Sequence, residues 1–170
     1  MKTVKFIKLF VFVCFTYGLF FSSSLVHAND VVINNVLFSA ESLFKALKEK
    51  NYVEVWNHLT VKSRNVIVDD VCRETEKLGG KCSKEQLNDD FTKGGSISKA
   101  YWDGYVAAFD PDMVLEHSTW KINLIQKEYA EVHILYKKSG KPAVLQIFKE
   151  DNKWKVGLEE TFRTRKWLIK

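Results

Sequence analysis

The chain has 170 residues, 46% of them hydrophobic and 14% aromatic. That length sets a prior of one domain, and that composition excludes an unfolded chain. The formal charge of +5 points toward an anionic partner only until it is located. Without Lys2, Lys5 and Lys8 the basic residues fall from 26 to 23 against 21 acids, a net of +2, and Arg163, Arg165, Lys166 and Lys170 cluster at the far end, so nucleic acid is not an expected partner.

Residues 1–28 read as a secretory signal peptide. The three lysines form the positive start, an apolar run follows from Leu9 to Phe21, and Val26 and Ala28 stand at −3 and −1 of a cut before Asn29. The run is short for a membrane span. A membrane role is therefore expected only if the cut is not made and Leu9 to Val26 stays as an anchor. The expected location is the periplasm or the outside of a bacterial cell. Residues 29–170 are then one domain.

Helical periodicity opens that domain. Ala40, Phe44 and Leu47 follow a cap at Ser39, and Tyr52, Val55, Trp56 and Leu59 recur at i, i+3, i+4 and i+7 after a bend in Lys48–Asn51. A third helix begins near Ser63, carries Ile67, Val71 and Leu78 on one face, and stops at Gly79-Gly80. Ser83–Gln86 fits a capping box for a fourth, which Gly94-Gly95 ends. A fifth carries Ile97, Ala100, Tyr101, Tyr105 and Ala108 as far as Asp110-Pro111.

From His117 the period becomes two. Trp120, Ile122 and Leu124 lie in one strand and Ala130, Val132 and Ile134 in the next. A turn pivots at Gly140, and Ala143–Lys149 follows. Trp154, Val156 and Leu158 make a fourth strand, joined to the third by the hairpin turn Glu150–Lys153. Helices followed by hairpin-linked strands predict an α+β fold with an antiparallel sheet. Trp120, Val132, Ile134, Trp154 and Val156 then share the apolar face, against the helices that carry Phe44 and Trp56.

The text "WKINLIQKEYAEVHILY" followed by "GKPAVLQIFKEDNKWKVGLEETF", after a helical start, resembles the nuclear transport factor 2-like superfamily, in particular its small exported bacterial members. The likeness covers about Leu37 to Phe162, and Cys72–Gly95 looks like an insertion. It implies a curved sheet wrapped on a long helix, with a cone-shaped pocket. Related enzymes include ketosteroid isomerases, dehydratases, epoxide hydrolases and polyketide cyclases, which place an acidic or histidine base in the cone. No residue here matches the oxyanion-holding group of the isomerases.

The best acid–base pair is Glu131 and His133, two apart on one strand and so on one face. The alternation with Val132 and Ile134 puts that face toward solvent. Tyr101 and Tyr105, in "YWDGY" around Asp103, are pocket candidates together with Phe148, although four-residue spacing on a helix also suits plain core packing. Asp69-Asp70 diverge on a helix and are read as solvated, and His117 has no evident partner. Cys14 leaves with the signal, and the remaining Cys72 and Cys82 are an even pair in an exported chain, read as a disulfide with free thiols as the alternative. They lack the further ligands of a zinc site. No cofactor or metal is expected. The reading is a non-catalytic domain binding a small ligand or an envelope protein, with homodimerisation left open. The alternatives are an isomerase, dehydratase or hydrolase acting in the cone, or a structural part of an envelope complex.

Overall fold

A computed structural model of the chain describes residues 22–162. The lysine-rich start, the whole apolar run from Leu9 to Phe21, Cys14 and the basic end lie outside the described residues, and so therefore does most of the expected signal. None of the described helices is long and apolar enough to cross a membrane. The chain divides into two compact units, Met1–Asn35 and Val36–Lys170. All contacts below lie within the second.

The element order is α1 Ser22–Lys48, α2 Tyr52–His58, α3 Val61–Lys77, α4 Lys84–Lys93, α5 Ser96–Ala108, α6 Pro111–Leu115, β1 Ser118–Ile125, β2 Tyr129–Tyr136, β3 Ala143–Glu150, β4 Lys153–Gly157 and α7 Leu158–Phe162. The strands pair antiparallel in sequence order. The fold is α+β, as the change of period predicts.

Local signals set most boundaries. Thr60 caps α3 by accepting from the Ser63 N–H, and Ser83 caps α4 by accepting from that of Gln86. At the end of α3, Gly79 takes φ +80°, its N–H reaches the Glu76 carbonyl and that of Gly80 the Thr75 carbonyl, both at 3.0 Å. This crossed pair satisfies carbonyls that the helix itself leaves open. Asp151 and Asn152 sit at φ +49° and +61° between paired Glu150 and Lys153, the left-handed two-residue turn that matches strand twist.

The sheet has two unlike faces. Trp120–Ile134–Ala143, Ile122–Val132–Leu145 and Ala130–Ile147–Val156 form cross-strand rows on one, and Ala130, Val132, Leu145, Ile147 and Val156 are buried. The helices cover this face. The Phe44 ring meets Trp120 edge-on at 5.7 Å, Leu59 bridges Val156 in parallel, and the Thr60 N–H donates to the Val156 carbonyl at 3.0 Å. Lys121, His133 and Val144 line up on the opposite face, as do Glu131 and Gln146 and then Tyr129 and Phe148.

Several expectations need correction. Ser39 is no cap: it is buried in the middle of α1, and its hydroxyl donates to the Trp154 carbonyl at 2.7 Å. Trp154 itself is only half-buried. Leu78 is 89% exposed, because it caps α3 outside the helical conformation and leaves the face that its number suggests. In α5 the buried pair is Ser98 and Trp102, while Ile97 and Ala100 face solvent. In the turn around Gly140, Ser139 donates to the Lys141 carbonyl and accepts from the Lys141 N–H. Leu158 opens a helix rather than closing a strand.

Candidate functional site

The structure separates the two groups of candidate residues. Glu131 and His133 share the open sheet face. Glu131 accepts from the Tyr129 hydroxyl and the Asn123 amide, both at 2.7 Å, and these bonds hold its carboxyl below the usual range, Tyr129 contributing most. A carboxylate stabilised in its charged form is a weak general base. Phe148 is on this same face, its ring 5.2 Å from that of Tyr129. It does not join Tyr101 and Tyr105.

Tyr101 and Tyr105 belong to a continuous series of rings. Trp56 stacks on Phe91 at 4.6 Å, Phe91 meets Tyr101 at 5.5 Å, and Tyr101 meets Trp102 at 4.9 Å. Trp102 then meets Tyr105 at 5.5 Å, Tyr105 meets Phe109 at 5.6 Å, and Phe109 meets Phe44 at 5.8 Å. Tilted and edge-on contacts at these distances are favourable beyond the area they bury. In "YWDGY" the rings pack on one another, and Tyr105 also has an open side. Asp103 turns outward, where it accepts from Tyr52 and Lys50.

That open side is a cavity of about 290 Å³ lined by Tyr105, Ala108, Phe109, Leu158, Glu159 and Phe162. One wall is the end of α5 and the other is α7. Burial, with the charge of Glu159, pushes the phenols of Tyr101 and Tyr105 well above their ordinary value. A second hollow, about 250 Å³, lies among Leu37, Glu41, Leu115 and Trp120.

The wall formed by α7 is too short to stand alone and is tied down by distant side chains. Ser63, at the start of α3, donates to Glu160 at 2.6 Å and accepts from the Glu159 N–H at 3.0 Å. Thr60 donates to the other Glu160 oxygen at 3.0 Å, and Thr161 accepts from the Gln146 N–H at 2.9 Å. At Gly157, the last residue of β4 before α7, a Cβ would come within 2.7 Å of the Phe148 ring. Sequence reading missed Glu159, Phe162 and this anchorage. Leu158, which continues the alternation of Trp154 and Val156, concealed the helix start, where the Glu159 N–H is met by Ser63 of another element.

Cys72 and Cys82 are disulfide-bonded with Cα atoms 5.4 Å apart. Asp69 pairs with Lys84 and Asp70 with Arg73, so the two carboxylates diverge. Among the described residues no cluster of three or more His, Cys, Asp or Glu side chains could hold a metal ion. Comparison with family models, curated proteins and solved structures found no match.

Proposed function

We propose that the chain is an exported, non-catalytic domain on a nuclear transport factor 2-like scaffold, and that it binds a small ligand in the cavity between α5 and α7. The observation that carries the reading is the cavity itself, of about 290 Å³ with Tyr105, Phe109 and Phe162 in its walls. Concave, mostly apolar space with a few polar groups is the usual form of a small-molecule site, and this volume is at the small end of that range. Export is supported by the leader pattern and by the Cys72–Cys82 bond, since such bonds persist in oxidising compartments. The superfamily likeness is supported by the helices-then-meander order. Binding is favoured over catalysis because the best proton-transfer pair, Glu131 and His133, is not among the residues lining the cavity.

Saturation-transfer NMR with single-ring aromatic fragments tests the reading. Ala108 lines the cavity and is otherwise exposed, so Ala108→Trp should fill the space with little cost to stability. Fragments should bind the natural chain and lose their signal with Ala108→Trp. Absence of any fragment binding, or binding indifferent to a folded Ala108→Trp variant, would overturn it.

A further inference from the structure

The ligand class can be narrowed, on the reading that this cavity is a binding site. Of the six described residues that line it, three are aromatic, and one, Glu159, is a carboxylate. The rest are Ala108 and Leu158, which add apolar surface and no donor. Among the described residues, the cavity lining contains no lysine, arginine or histidine to receive an anion. The Glu159 charge is felt at both Tyr101 and Tyr105, which places negative potential on the aromatic side of the space. Ring faces carry negative potential of their own and attract cations, most strongly where water is excluded. A carboxylate and several rings around one small space suit a positively charged group with an apolar surface, and they disfavour a carboxylate or phosphate ligand.

We infer that the cavity walled by Tyr105, Phe109, Glu159 and Phe162 selects a small organic cation, an alkylated or quaternary ammonium compound. Glu159 and Phe162 also make contacts of their own, so the ligand shares these groups and does not supply their sole partner. Recognition is then through ring faces and charge, with affinity set by how well the apolar part of the cation fills the space.

The test uses a matched pair of probes, choline and its uncharged counterpart 3,3-dimethylbutan-1-ol, titrated against the full chain by calorimetry and by NMR shifts. Choline should bind about tenfold tighter or more, the gain expected of a desolvated cation over aromatic faces. Glu159→Gln should remove most of that preference while leaving the neutral alcohol unchanged. Its fold should persist, because Glu159 is tied to Ser63 through its backbone N–H. Phe162→Leu should weaken choline more than the alcohol and provides a second variant. Equal affinity for the two probes overturns the inference but leaves the cavity reading standing, as does binding of aromatic fragments with no binding of choline. Choline binding indifferent to both variants would place the cation elsewhere and overturn it too. Failure of every probe and fragment overturns the cavity reading itself.

Discussion

Two of the places where tyrosine and carboxylate meet in this molecule are built in opposite ways. On the open sheet face Tyr129 donates straight to Glu131 at 2.7 Å. Each group satisfies the other, and the result is a surface brace. Between α5 and α7 the phenols of Tyr101 and Tyr105 are buried in a series of rings, and the nearby carboxylate, Glu159, arrives on a short helix anchored from α3. There the groups shape a space more than they pair. The difference shows why residue type alone is a poor guide to a site. The same two side chains make a strut or a wall, according to whether their backbones are adjacent on one strand or delivered by separate elements.

The ring series gives the largest expected effect. Trp102 is fully buried and contacts both Tyr101 and Tyr105. Trp102→Ala should cost about 3–5 kcal/mol, the usual range for a buried tryptophan including its cavity term, measured by denaturant unfolding. Trp154→Ala should cost less, since Trp154 is only half-buried. If the order were reversed, the core would be centred on the sheet edge rather than on α5.

Next is the disulfide. It ties α3 to the segment leading into α4, and α4 carries Phe91, the ring that links Trp56 to Tyr101. Replacing Cys72 and Cys82 together by alanine should cost about 2–3 kcal/mol in the chain-entropy account of so short a loop. Equal unfolding midpoints for the natural chain and the double variant would show that this region is held by packing alone. Smaller again is Ser63→Ala. It removes a buried hydroxyl that donates to Glu160 and accepts from the Glu159 N–H, worth about 1–3 kcal/mol where a partner is left unsatisfied. It should also loosen α7 and weaken fragment binding, which a purely structural bond on the far side of the molecule would not do.

These contrasts also mark what the sequence made legible. Signals that act within a few residues were readable: the cap at Ser83 and the stops at Gly79 and Gly94, the hairpin turn at Glu150–Lys153, the period-two faces of β1 to β4, and the cysteine pair. What was hidden depends on distant partners. Ser39 looked like a cap because serine is good at that task, yet its hydroxyl serves Trp154, far along the chain. The buried face of α5 was misphased because it includes a serine, Ser98, while Ile97 beside it is apolar and exposed. Tyr105 could be named from its spacing, but Glu159 and Phe162 are placed by bonds to α3 and β3 that no local pattern encodes.

The smallest predicted effect tests the surface brace. Tyr129 raises the acidity of Glu131 by donating to it, so the Glu131 carboxyl lies below its ordinary value in the folded chain. Burial, then the bond to Glu131, pushes the Tyr129 phenol up to about 12. The carboxyl's contribution is present above its unfolded value, roughly pH 4.3 to 4.5, and is lost as pH falls through the lowered folded value. The phenol's contribution is present below its unfolded value near pH 10 and is lost as pH rises through about 12. Tyr129→Phe removes the bond while keeping a ring against Phe148. The stability difference between the natural chain and this variant should therefore be a plateau from about pH 5 to pH 9, shrinking at both ends. Both groups are near solvent, so its height should be under about 1 kcal/mol. An NMR titration of Glu131 should show its midpoint rise in the variant. An unmoved midpoint would mean that Asn123 alone holds the carboxylate, and the brace would reduce to a contact between rings.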